Sequence, residues 1–108
     1  MERQLYFSEQ PKPMDWGEKK HVPLNITEET TFDENGVEKK GFRADLVERV
    51  EQPITADHIV DAAIASEFGE EAKKRIMRNI AIEGDPEVAA YKKFISEIRA
   101  SAIAAGYN

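Results

Sequence analysis

The sequence predicts an α+β fold, an antiparallel β-hairpin packed on a C-terminal three-helix unit, with Leu5–Phe7 available as a third strand. Three observations carry this. Residues 21–50 alternate with period two, residues 53–108 carry helix starts and stops around apolar stripes of helical period, and Pro53 separates the two patterns. A chain of 108 residues is one domain's worth. It divides into an extended arm over 1–19, the hairpin over 20–52 and the helical unit over 53–108. We find no internal repeat, and the link at Pro53 is too short to separate a second domain.

The arm holds Leu5, Tyr6 and Phe7, then Pro11-Lys12-Pro13, Met14 and the only tryptophan, Trp16. Two prolines one residue apart exclude helix interior and favour an extended path. Leu5, Tyr6, Phe7, Met14 and Trp16 are the candidate partner-binding residues. The plainer reading is that they pack on their own subunit, since scattered apolar surface residues are ordinary.

In the hairpin, Val22, Leu24 and Ile26 alternate with Pro23, Asn25 and Thr27. After a break come Phe42, Ala44, Leu46 and Val50. A two-residue Asn35-Gly36 loop would set Leu24 opposite Val47 but Ile26 opposite Asp45, mixing the faces. A three-residue loop, Glu34 to Gly36, sets Leu24 opposite Leu46 and Ile26 opposite Ala44, with Phe42 on the same face. We adopt the latter, a type I turn beginning at Asp33 with Gly36 left-handed in a bulge. Glu28, Glu29, Glu34, Glu38, Lys39 and Lys40 predict a tip polar on both sides that projects beyond the core. Pro23, having no N–H, places its part of the strand at an edge or a bulge.

The first helix is predicted to start at Thr55 as N-cap, to carry Ile59, Ala62, Ala63, Ala65 or Ser66, and Phe68, and to stop at a left-handed Gly69. The second opens on Glu70 and Glu71, places Ala72, Ile76, Met77 and Ile80 on one face, and stops at Gly84. The third is the longest: Asp85 caps, Pro86 takes the first position, and Gly106 closes. Val88, Tyr91, Ile95, Ile98, Ala102 and Ala105 recur three or four apart, with Phe94 widening the stripe, so the other two helices are expected to pack across it.

Composition narrows the chemistry. The absence of cysteine excludes disulfides, thiolate metal sites and thiol nucleophiles. A hydrophobic content of 41% against 33% charged residues predicts a small core. No stretch of about 18 apolar residues occurs, and the N-terminus lacks a secretory signal pattern, so no membrane partner and a cytoplasmic product are expected. The net charge of −6, from 21 acidic and 15 basic side chains, repels phosphate backbones on average.

Motifs for catalysis are missing. His21 and His58 stand apart from any metal-ligand spacing, Ser8, Ser66, Ser96 and Ser101 from any nucleophile context, and the glycines occur singly. Asp33-Glu34-Asn35-Gly36 departs from the calcium-loop order and reads as a turn. No catalytic residue, cofactor or metal ligand is therefore expected, and a protein partner or self-association is. Lys73, Lys74, Arg75 and Arg78 are the densest basic cluster and the candidate surface for the alternative, a small nucleic-acid-binding regulator. Against that reading, Glu70 with Lys74 and Glu71 with Arg75 have the spacing of helix-surface ion pairs, and no aromatic residues are interleaved to stack bases.

The order of pieces also carries a resemblance. A polar hairpin, then Pro53-Ile54-Thr55-x-Asp57, Asp61-Ala62-Ala63-Ile64, a glycine-broken helical pair, and a closing helix with Tyr91-Lys92-Lys93-Phe94 and Arg99-Ala100 resemble small uncharacterised proteins of phages and prophages in gut bacteria, often encoded near tail genes. The resemblance spans residues 20–106. It implies a non-enzymatic accessory, assembly or virion-associated role acting through protein contacts, and it transfers no activity to individual residues.

Overall fold

The computed structural model describes residues 1–108. Four strands, β1 (Glu2–Phe7), β2 (Met14–Trp16), β3 (Lys19–Phe32) and β4 (Glu38–Glu51), form one antiparallel sheet in the order β1-β4-β3-β2. Three helices follow, α1 (Ala56–Glu67), α2 (Glu70–Arg78) and α3 (Pro86–Ala104). The class is α+β. Residues 1–19, however, are not a free arm. Glu2–Phe7 pairs with β4 as the third strand foreseen there, and Met14–Trp16 pairs with the base of β3 as a fourth, too short to show a period in the sequence.

The hairpin turn is the expected one. Gly36 N–H donates to Asp33 O at 3.0 Å, Gly36 sits at φ 74°, and Asp33 N–H closes on Val37 O at 3.0 Å. Asp33 Oδ1 accepts from the N–H groups of Asn35 and Val37, both at 2.9 Å, which fixes the bend. From Phe32↔Glu38 to Thr27↔Arg43 the register is that of the three-residue loop. Lower down it changes: Leu24 pairs with Asp45 rather than Leu46, because β3 accommodates an extra residue around Asn25, at φ 55°. A compensating extra residue in β4 near Arg49, at φ 59°, restores the first register at Lys20↔Val50. Bulges of this kind reverse which face the following residues occupy. Leu24 thus leaves Ile26, Ala44, Leu46 and Phe42 and joins Val22, Val47 and Val50 on the helix side.

Those four residues pack with Ile59, Ala63 and Ile64 of α1, Ile76 of α2, and Val88, Tyr91, Ile98 and Ala102 of α3 in a single core. Each fully buried aliphatic side chain contributes about 1.5–3 kcal/mol there, which makes this burial the main stabilising term. On α1 the buried set is Ala56, Ile59, Val60, Ala63 and Ile64, one step round from the expected stripe, while Ala65 and Ser66 are exposed. On α2 only Ile76 is buried; Met77 and, beyond the end of the helix, Ile80 are exposed.

Caps fix the helix ends. Thr55 Oγ1 accepts from His58 N–H at 3.1 Å, and Asp85 Oδ1 accepts from Glu87 and Val88 N–H at 2.9 and 3.0 Å. After α3, Gly106 at φ 97° donates to Ile103 O and Tyr107 N–H reaches back to Ala102 O, the Schellman pattern, which returns Tyr107 to the core. Two expected stops differ. Gly69 is extended at φ −72° and opens α2 instead of closing α1, and α2 ends at Arg78 with Asn79 as its cap, leaving the left-handed Gly84 to the loop before α3.

The radius of gyration is 16.6 Å and the extents are 57 × 32 × 23 Å. A compact chain of this length has a radius near about 13 Å. The difference comes from the hairpin of two 14-residue strands, whose tip carries none of the helical core.

Candidate interaction surface

Asp45 divides the sheet. It is 5% exposed, the only charged side chain buried in the chain. Its Oδ1 accepts Gln4 N–H at 3.0 Å and its Oδ2 accepts Asn25 Nδ2–H at 2.9 Å. Gln4 and Asn25 are both left-handed bulge residues at φ 55°, one on each strand flanking β4. One carboxylate therefore fastens two bulges at the same level, and a buried charge is tolerable when its oxygens are satisfied in this way.

At and below the level of Asp45, Val22, Leu24, Val47 and Val50 face the helices; the remaining apolar residues of the sheet take the other side. By strand pairing, Phe42, Ala44 and Leu46 share the opposite face with Leu5 and Phe7 of β1 and with Pro23, Ile26 and Phe32 of β3. The helix-side face of the projecting part is polar: Arg43 Nε donates to Glu29 Oε2 at 2.7 Å, Arg43 Nη1 to Gln4 O at 3.1 Å, and the guanidinium stacks 5.3 Å from the Tyr6 ring. Tyr6 lies across Gly41, where a side chain would collide with the ring.

The five candidate partner-binding residues are consequently dispersed. Leu5 and Phe7 are half-buried on the outer face, Tyr6 is on the helix-side face, and Met14 and Trp16 stand at the far edge, where Trp16 stacks on His21 at 5.0 Å and stays 57% exposed. Phe7 and Met14 belong to opposite outer edges of the sheet, so Ser8–Pro13 must cross it. That path covers about 14 Å across and about 20 Å along the strands, close to the about 25 Å that seven extended steps can reach. Pro23, Ala44 and Leu46 are buried yet stand outside the helical core, which identifies the face turned from the helices as the one crossed. Towards the tip that face stays open, with Ile26 38% and Phe32 69% exposed.

One sheet edge is also open. β2 pairs only with Lys19–His21, leaving β3 from Val22 to Phe32 without an outer neighbour. Beside it, Pro23, Leu24, Asn25, Ile26, Ser101, Ala104 and Ala105 line a shallow groove between that edge and the last turn of α3. Phe32 was missed by reading the tip as polar on both sides, and Ile26, placed with Ala44 and Phe42 as expected, lies on the face turned from the helices. The signal was Asn25, a residue type that favours left-handed bulges, and Asp45 within an apolar strand.

No family model, curated protein or solved structure matches this chain.

The remaining polar groups have local roles. His58 Nδ1 lies 2.7 Å from Pro53 O and 3.2 Å from Glu51 O, so this nitrogen carries the proton and ties the β4–α1 link to the helix. His21 Nδ1 accepts Arg49 N–H at 3.2 Å at the lower bulge. Lys19, Arg49, Glu51, His58 and Asp61 rim a shallow groove beside α1, but no group of three or more His, Asp or Glu residues is arranged to hold a metal ion.

In the basic cluster, Arg75 donates from Nε and Nη2 to both carboxylate oxygens of Glu87 on α3, each at 2.7 Å. The expected partner Glu71 is displaced because the α3 carboxylate offers a planar two-point match. The bond holds the Glu87 carboxyl below the ordinary carboxylate range and raises the Arg75 guanidinium. Lys73 and Lys74 flank a shallow depression with Glu70 and Met77, and the expected Glu70–Lys74 ion pair does not form. Of the four basic residues one is thus neutralised, and the cluster is interrupted by acid. No helix is long and apolar enough to cross a membrane.

Proposed function

We propose that the chain is a non-enzymatic protein-interaction or assembly module. The helical unit and the lower sheet act as scaffold, and the projecting hairpin makes the contact. The observation that supports this most is the pattern above Asp45, which turns Ile26, Phe32 and Phe42 away from the chain's own helices. Apolar residues on a part of the molecule that carries none of the core cost solubility unless another surface covers them. The likeness to small phage and prophage proteins suggests that this surface serves tail assembly or virion association.

The test is retention of a partner by tagged chain in extract of the encoding organism, compared with Phe32→Lys and Phe42→Lys variants. Retention by the wild-type chain and release from both variants, with unchanged circular dichroism, is the expected result. Equal retention by all three, or by none, sinks the reading. Tail genes beside the coding gene would support the narrower role.

A further inference from the structure

The open edge of β3 has a definite hydrogen-bonding polarity. Asp33 N–H donates to Val37 O across the turn, so Asp33 faces β4. Facing alternates along an antiparallel strand, so Thr31, Glu29 and Thr27 also turn to β4. Glu28, Thr30 and Phe32 then present their N–H and C=O groups outward, where no strand pairs with them. Their side chains lie on the outer face with exposed Ile26.

Proteins commonly blunt such edges with proline, bulges, charged side chains or short length. Here Pro23 and the Asn25 bulge protect only the lower part; Thr27–Phe32 is straight and rich in β-favouring threonine, and its only protection is the negative charge of Glu28 and Glu29, which deters acidic strands but not basic ones. The groove lies at the lower end of that straight run, beside the protected Pro23–Ile26. Its walls are Pro23–Ile26 on one side and Ser101, Ala104 and Ala105 on the other, the latter small residues that leave room for a side chain lying alongside the edge.

We propose that this edge accepts an extended, basic segment of a partner protein as an added strand, with one apolar side chain seated in the groove by α3. The inference rests on the interaction reading above and names the partner's chemistry. The charge of the site selects for cations. The chain carries −6 overall, the last turn of α3 has no basic residue to oppose its carbonyl end, and Glu28 is held only by a 3.9 Å contact with Lys40. The same acidity weighs against a second copy, since antiparallel self-pairing about Glu29 would bring like charges together. Strand addition draws affinity from main-chain bonds and specificity from alternate side chains, which suits an edge flanked by one apolar groove.

The probe is a library of random linear peptides displayed on phage, selected against the full-length chain. The expected result is enrichment of sequences alternating β-branched residues with Lys or Arg. A selected peptide should slow amide exchange at Glu28, Thr30 and Phe32 while leaving the already protected Glu29 and Thr31 unchanged. Thr30→Pro removes one outward N–H without touching the ladder to β4 and should weaken binding about tenfold. Ala104→Trp, which fills the groove away from the hairpin, should weaken it independently. Unchanged binding in both variants, selected peptides that leave these amides unaltered, or a dimer with the edge amides protected in the free chain would each overturn the proposal. A partner released by Phe42→Lys but not by Thr30→Pro overturns it while the broader reading survives; a chain that retains no partner removes both.

Discussion

Replacing Asp45 tests the arrangement on which both faces of the sheet depend. Asp45→Ala removes the acceptor of two hydrogen bonds, from Gln4 N–H at 3.0 Å and Asn25 Nδ2–H at 2.9 Å. Bonds to a charged group contribute about 1.5–3 kcal/mol each, and the desolvation of the buried carboxylate, no longer incurred, offsets part of their loss. A net cost of about 2–4 kcal/mol results. In a domain of this size each kcal/mol moves Tm by about 4–8 °C, so the midpoint should fall by at least about 8 °C.

The partners predict an order. At Gln4 the donor is the backbone, and φ is 55°. Gln4→Gly keeps the bond and relieves a left-handed non-glycine residue of about 1 kcal/mol, against a similar entropic cost of glycine, so stability should be unchanged or slightly higher. Asn25→Gly keeps the backbone and loses the amide bond; Asn25→Ala loses both and should fall further. Urea titrations followed by circular dichroism rank the four variants, and the Asp45→Ala, Asn25→Ala double mutant should show a coupling above about 0.5 kcal/mol. If Asp45→Ala matches the wild-type midpoint, or Gln4→Gly is the least stable of the set, the carboxylate is not what holds the bulges.

Other perturbations follow from single contacts. Asp85→Ala deletes the cap of α3, which accepts two N–H bonds, and should cost about 1 kcal/mol, read as a lower urea midpoint with unchanged slope. The Glu87 carboxyl is held below its ordinary range by the Arg75 hydrogen bond, so its stabilisation is present above the unfolded pKa and lost as pH falls through the folded one. The Tm difference between wild type and Glu87→Gln should therefore be steady above about pH 5 and close in acid; a difference that grows in acid would contradict the assignment. Gly41→Ala should push the Tyr6 ring off the strand and away from Arg43, visible as movement of the Tyr6 ring signals in NMR spectra with little loss of stability, because the ring is 44% exposed and free to swing.

What the sequence disclosed depended on whether a feature was local. The turn at Asp33–Gly36, the caps at Thr55 and Asp85, and the stripe of α3 were legible because each is decided within a few residues. The bulges were not, since the hydrogen bonds that fasten Asn25 and Gln4 both go to Asp45, distant from each in the chain. Their consequence was the misplacement of Leu24. A hint existed in β4, where Phe42, Ala44 and Leu46 occupy even positions and Val47 breaks the parity, as a strand buried on both faces would. Gly69 read as a helix stop because glycine favours both ends of helices, and only its extended ψ of 166° distinguishes them. The five arm aromatic and apolar residues were scattered by a crossing segment that no period announces.

That crossing and the bulges belong to one arrangement. A hairpin of two 14-residue strands is longer than the helices can cover, so its apolar residues cannot all face one layer. Left-handed residues at Gln4, Asn25 and Arg49 let the alternation change sides, giving Val22, Leu24, Val47 and Val50 to the helices and Ala44 and Leu46 to the other face. Pro11 and Pro13 stiffen the segment that covers this second group, since a fixed φ leaves less entropy to lose on folding. The segment is too short to reach the tip as well. Phe32 and the outward amides beside it are what six residues, stretched between two edges, leave uncovered.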